Sequence, residues 1–350
     1  MITTASAPTL RLMADWERSK KCRVLWPYRK DVWRKNAVPA QETMISVVSA
    51  IHDLGTEVTV YTKPDLMNST KSRFPKGVKV NPLDYNDIWI RDTGPTFVMN
   101  DATKEVKGID WNFNAYGGIY KDFVDDNNLA RRLMCQMQMG TVDGTYLTTE
   151  GGAFVTDGEG TVITTESVLL NPNRNPGLTK EKAEEVMKRL FDVDTIIWLK
   201  DGLYGDLDTD GHADNLVAFV NPKEVLLAWS EDPLDPQHFI SVTAENTLLA
   251  HGLKVHRVHC PLPMFVQKED MEDIEFTKDT FRRGVGDLLP ASYINYYRAK
   301  DGIVLPLYGC LMTDNSAVDT FKRVFKGKKI MTVNARELVL GGGSIHCATN

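Results

Sequence analysis

A chain of 350 residues that is 42% hydrophobic and 25% charged has the composition of ordinary globular material, long enough for one large core or two domains. Its net charge of −6 gives no basic footprint for nucleic acid and suits small cationic partners instead. Five cysteines without a Cys-x-x-Cys pair point to neither a disulfide framework nor a zinc site, and MITTASAPTLRLMADWERSKK lacks a signal-peptide core. With no run near the roughly 18 apolar residues of a membrane span, the chain reads as cytoplasmic, with no membrane partner.

In chain order, QETMISVVSAIHDLG reads as a helix and EVTVYTK as a strand, and TFVMNDATKEVKGIDW as a hairpin followed by the helix DDNNLARRLMCQM. AFVTDGEGTVITTESVLL then gives two strands around the turn DGEG. TKEKAEEVMKRLF gives an amphipathic helix opened by Thr179, and DTIIWLK a further strand. This strand-strand-helix-strand unit returns as NLVAFV with EVLLAWS, DPQHFISVTAENTLLAHG and LKVHRVHC. It returns again as ASYINYYRAKDGIVLPLYG, DNSAVDTFKRVFKG and KKIMTVN. Five copies at spacings of roughly 60 to 75 residues predict a closed circular array, because a unit that cannot bury its own face stacks on neighbours. The first copy is split, its hairpin built from KCRVLWP and the tail GGGSIHC, which would be held as a strand. The alternative is two ordinary α/β domains with hairpins.

The repeat makes certain polar residues equivalent. Just before each hairpin stands a polar cluster: Asp92 in NDIWIRD, Glu150 in TTEGG, His212 and Asp214 in DTDGHAD, Cys347 in GGGSIHC. In a closed array these places converge on the axis. Cys22, Cys135, Cys260 and Cys310 read as packing residues. His346 sits next to Cys347, and on a strand neighbours point to opposite faces, which makes it structural. His52, His238, His251, His256 and His259 lie in helical or strand patterns without acidic company. Asp206, Asp208, Asp210 and Gly211 imitate the start of a calcium loop, but Val217 stands at its twelfth position where Glu is required. No Walker loop or dinucleotide fingerprint is present.

One Cys, one His, one Glu and two Asp facing one cavity would clamp a planar cation, paired carboxylates matching the forks of a guanidinium, with the thiol as nucleophile and His as proton carrier. NDIWIRDTGPTFV, WNFNAYGGIY, EGG with DGEGTVITTESVLLNPNRNPGLT, DGHADN and GGGSIHC together resemble agmatine deiminase, or agmatine iminohydrolase, of the bacterial-type peptidylarginine deiminase superfamily. The resemblance covers nearly the whole chain. It departs at Phe154, where the family commonly has His, and at Asn350, where the sequence stops earlier than many relatives.

The resemblance implies an α/β fold, a five-bladed pseudo-symmetric α/β propeller forming one domain over residues 1–350. It implies hydrolysis of agmatine to N-carbamoylputrescine and ammonia, in polyamine and putrescine biosynthesis, by a homo-oligomer that needs no metal or organic cofactor. Cys347 would attack the guanidinium carbon, Asp92 and Asp214 would hold its nitrogens, and His212, steadied by Glu150, would protonate the departing ammonia. Discriminating agmatine from arginine calls for an acid and no paired arginine at the pocket mouth. Asp208 is the candidate for reading the far ammonium and Trp89 for covering the four-carbon chain. The other readings are a peptidylarginine deiminase, an amidinotransferase, and a guanidine-binding protein without catalysis.

Overall fold

The apolar runs picked out by alternation become strands, and each amphipathic run becomes a helix between two parallel strands, as a parallel connection requires. The computed structural model describes residues 10–278, 280 and 283–350. The part of the N-terminal reading that falls on residues 1–9 lies outside them.

The fold is mixed α/β. Among the described residues, five sheets of three or four strands form, with a two-stranded ribbon, Met264–Phe265 against Leu288–Leu289, beside them. Thr96–Asn100 pairs antiparallel with Val106–Asn112, which runs parallel to Gly140–Thr148 across the helix Leu129–Gln136. Leu10–Leu12 adds an antiparallel edge. The pattern repeats in Phe154–Thr156, Thr161–Thr165 and Thr195–Leu199 with the helix Lys180–Leu190, whose N-terminus Thr179 caps as expected by accepting from the Lys182 N–H. It repeats again in Val217–Asn221, Glu224–Trp229 and Lys254–His259 with the helix Pro236–Ala250. A further copy is Tyr297–Arg298, Gly302–Leu307 and Lys329–Asn334 with the helix Leu311–Val324.

The strand Glu224–Trp229 is apolar and buried from Val225 onward, which is what a strand covered on both faces needs. The helix Val38–Asp53 turns Ala40, Met44, Val47, Val48 and Ile51 inward, a stripe of helical period whose larger side chains each stabilise by about 1.5–3 kcal/mol on burial. One hydrophobic cluster runs from Cys22 to Ala348 and joins residues of four sheets. A second, around Ile109, Trp111, Leu169 and Met187, lies between the remaining sheet and the Phe154–Thr156 sheet.

The split copy differs from expectation. Lys21–Leu25 lies parallel to Glu57–Thr62, which lies parallel to Lys79–Pro82, and the tail is not a strand. After the helix Arg336–Leu340, residues 341–350 form successive turns. Backbone hydrogen bonds tie them to the strand Lys21–Leu25: the Arg23 N–H donates to the Asn350 carbonyl at 2.7 Å and the Asn350 N–H returns to the Arg23 carbonyl at 3.0 Å. Three consecutive glycines favour turning over extension, which is why the strand did not form.

Candidate active site

The residues expected to meet enter from turns that precede strands. Asp92 sits on the one-turn helix Ile90–Thr93 before Thr96–Asn100. Glu150 precedes the 3-10 turn Gly151–Ala153 and the strand Phe154–Thr156. His212 opens the turn Ala213–Leu216, which carries Asp214 into Val217–Asn221. The turn at each strand entry bends the chain, so its polar side chains stay at one end of each sheet.

The structure brings these groups together. The thiol of Cys347 donates to Asp214 Oδ2 at 3.8 Å, and His212 Nδ1 lies 3.6 Å from Asp92 Oδ1. The other imidazole nitrogen, His212 Nε2, donates to Glu150 Oε2 at 3.2 Å, which fixes the ring. Asp92 is held from two sides: Oδ1 accepts the Gly152 N–H at 2.9 Å and Oδ2 accepts the Tyr116 hydroxyl at 2.9 Å. Gly152 has ordinary backbone angles for any residue, but a Cβ there would come within 2.6 Å of His212 Nδ1, 2.8 Å of Asp92 Oδ1 and 3.0 Å of Asp214 Oδ2. Only a glycine lets the imidazole and both carboxyl groups converge. Likewise a Cβ at Gly343 would lie 2.5 Å from the Trp89 ring and 3.0 Å from the Cys347 Cβ. Two buried polar atoms, His212 Nδ1 and Asp214 Oδ1, have no hydrogen-bond partner among the described residues.

Trp89, Asp92, Tyr116, Asp208 and Cys347 line one cavity of ≈ 80 Å³. Trp89 is braced by Trp33, their ring centres 6.0 Å apart. Asp208 is in the wall but is ion-paired to Arg283, so the expectation of an acid without an arginine is corrected. Burial raises the Asp208 carboxyl to about 6, and Arg283 opposes that shift by favouring the charged form. The neighbouring acids of the calcium-loop imitation turn elsewhere: Asp206 accepts from Thr209 and Asn215, and Asp210 accepts from Arg174.

Electrostatics set the starting protonation. Burial, followed by Asp214 and Asp92, pushes the Cys347 thiol well above its ordinary range. Burial alone would neutralise His212, but Asp92, Glu150 and Asp214 outweigh it and push it up to about 9. Burial also raises Asp92 to about 6, with Asp214 and Glu150 adding and His212 opposing. Glu150 resists its burial because Arg174, at 2.8 Å, and His212 hold it below the ordinary value. At neutral pH these shifts favour a thiol at Cys347 and an imidazolium at His212.

Three site residues escaped the sequence reading, Tyr116, Arg174 and Asn295, and a fourth, His346, was read as structural without its partners. Tyr116 lies in a stretch of left-handed backbone, Ala115 to Gly118, that brings its hydroxyl to Asp92. Arg174 underlies Glu150. His346, read as structural, stands on a turn and not on the expected strand: its Nδ1–H donates to Asp214 Oδ2 at 2.7 Å and its Nε2–H to Asp15 Oδ2 at 3.1 Å, so it steadies a clamp carboxylate from behind. Asn295 touches the sulfur. The repeat could have found it, since ASYINYY precedes its hairpin as the other clusters precede theirs. Phe154, the departure noted above, packs on Trp111 with ring centres 5.9 Å apart.

The chain matches the Porphyromonas-type peptidyl-arginine deiminase family over residues 11–350. A protein of Mycoplasma mycoides with a provisional agmatine deiminase name is 41% identical over 96% of this chain and 93% of its own. One of Listeria monocytogenes with a similar name is 37% identical over 97% and 95%. The solved structure titled as the agmatine deiminase of Enterococcus faecalis catalyzing its reaction superposes with a TM-score of 0.91 at 34% identity, over 99% of this chain and 98% of that one.

Proposed function

We propose, on the premise that this chain belongs to the Porphyromonas-type peptidyl-arginine deiminase family, that it hydrolyses agmatine to N-carbamoylputrescine and ammonia. The observation that carries the reading is the set of four groups around one point: the Cys347 sulfur, the carboxyl groups of Asp92 and Asp214, and His212, with Asp214 Oδ1 and His212 Nδ1 free of hydrogen bonds among the described residues. Two buried carboxyl groups fit a planar cation with N–H donors on both edges.

In this reading Asp92 and Asp214 hold the guanidinium and its charge stabilises the Cys347 thiolate, which burial and the carboxylates otherwise oppose. The thiolate adds to the guanidinium carbon, His212 gives its proton to one nitrogen, and ammonia leaves. An amidino thioether remains on Cys347. His212, now neutral, takes a proton from water as the water attacks that carbon, the C–S bond breaks to return the thiolate, and the ureido product loses its remaining hydroxyl proton to the solvent or the departed ammonia. Glu150, backed by Arg174, keeps the imidazole oriented. Trp89 covers the aliphatic chain, and Asp208 exchanges Arg283 for the ammonium of agmatine. The reaction draws on these side chains, without a metal or organic cofactor. The five sheets are read as blades of one five-bladed α/β propeller domain over residues 1–350, with the site on its axis. The protein is further read as a cytoplasmic homo-oligomer acting in polyamine synthesis.

Arg283 at the mouth is the feature that would receive an α-carboxylate, so free arginine belongs in the test. Agmatine, arginine and a peptidyl arginine are assayed for ureido product and ammonia in buffer without an amine acceptor. Agmatine should turn over with release of ammonia. Preference for arginine or peptidyl arginine, or a need for an acceptor amine, would overturn the assignment.

A further inference from the structure

Cys347 has a second contact that the reaction as drawn leaves unused. The Asn295 side chain, buried at 0% exposure, donates from Nδ2 to the Cys347 sulfur at 3.0 Å. Its amide has one orientation that satisfies its neighbours. Oδ1 accepts the Cys347 N–H at 3.2 Å, and Nδ2 also donates to Asn215 Oδ1 at 2.8 Å. Asn215 in turn is fixed by Asp206, whose Oδ2 accepts from Asn215 Nδ2 at 3.1 Å; a flip there would set oxygen against carboxylate oxygen. The Asn295 carbonyl holds the tail as well, accepting the His346 N–H at 3.1 Å. A carboxylate therefore sets the polarity of a chain of two amides that ends on the sulfur as a donor.

Besides Asn295, only a backbone hydrogen bond from Ser344 is described as favouring the thiolate; the carboxyl groups and imidazole at the sulfur and its clamp favour the thiol or are already committed. Asp214 accepts from the thiol, Asp92 adds repulsion to a thiolate, and His212 is engaged with Glu150 and faces Asp92. A donor to sulfur strengthens when the acceptor becomes an anion, since charge-assisted hydrogen bonds are about twice as strong as neutral ones. We propose that Asn295 is a further catalytic residue, whose side-chain N–H holds the Cys347 sulfur and stabilises it as the thiolate when its proton leaves to solvent through the cavity. Asn215 and Asp206 are positioning residues that keep this amide pointing its N–H at the sulfur. The inference rests on the reading of Cys347 as the nucleophile.

The test is Asn295→Leu, which keeps the volume and removes the donor. Ionisation of Cys347 is followed by the ultraviolet absorbance of the thiolate, as the difference between each protein and its Cys347→Ser counterpart over a pH titration. The thiol should titrate at least about one pH unit higher in Asn295→Leu, and kcat for agmatine should fall about tenfold or more with KM within about threefold. A titration that superimposes on the parent, or a loss confined to KM, overturns the proposal. Should Asn295→Leu not fold, Asn295→Asp retains the shape and the acceptor for the Cys347 N–H. Its thiol must titrate higher still, and an unchanged or lower titration overturns the proposal equally. The titration uses no substrate, so a parent protein inactive on agmatine would sink the functional reading alone and leave the titration to decide this one.

Discussion

Asp92 is the residue at which binding and folding pull apart. Its carboxyl is buried with a folded-state value of about 6, above the usual unfolded value near 3.9. The folded protein is then unburdened below the unfolded value and loses stability as pH rises through about 6, up to about 3 kcal/mol. Asp92→Asn should therefore abolish turnover yet raise the melting temperature at pH 8, and the gain should vanish near pH 4. Thermal unfolding at both pH values checks this, and a destabilised variant at pH 8 would contradict it. Asp208→Asn should cost agmatine about five- to 150-fold in kcat/KM, the worth of a partly screened ion pair, and a simple alkylguanidine much less. Equal losses on both would assign Asp208 to loop structure through Arg283. Asp92, Glu150, His212, Asp214 and Cys347 were legible because a repeat made their places equivalent and their side chains carry obvious chemistry. Asn295 was not, because a neutral amide draws attention only once its partner is known. The pairing of His346 with Asp214 depended on a backbone path that strand alternation misjudged.

At the scale of elements, alternation and helical period located the repeated strand and helix units, since each buried face is written in consecutive residues. The tail was misread because an apolar run behind three glycines has no period of its own. Its place is fixed by partners distant in sequence. Asn350 Nδ2 donates to the carbonyls of Ile90 and Pro95, both at 3.1 Å, tying the tail to the turn that carries Asp92. Asn350→Ala should cost about 1–3 kcal/mol by taking the donor from the buried Pro95 carbonyl, while the Ile90 carbonyl keeps the Gly94 N–H. Because Cys347 and Asp92 are secured by the same contacts, kcat/KM should fall as well. Denaturant unfolding and steady-state kinetics on one preparation decide it: wild-type kinetics in a destabilised variant would show that the tie serves folding alone. Gly152→Ala makes the complementary case. Its Cβ has no room beside His212, so activity should drop by orders of magnitude while melting shifts only modestly.

For the whole molecule, a net charge of −6 surrounds a site built to accept a cation. Raising salt beyond about 0.1 M, where the screening length is about 10 Å, should lower kcat/KM for agmatine and leave kcat nearly unchanged. A salt-independent kcat/KM would confine recognition to contacts inside the cavity. The account as a whole claims that segments spread along the chain meet so that one sulfur can displace ammonia from a guanidinium. Rapid acid quenching of the protein during agmatine turnover, followed by mass spectrometry of the peptide containing Cys347, tests that claim most directly. The account predicts an adduct on Cys347 with the mass of agmatine less ammonia, absent in Cys347→Ser, which should bind agmatine without turning it over. Turnover that survives Cys347→Ser, or an adduct carried by another cysteine, would contradict it.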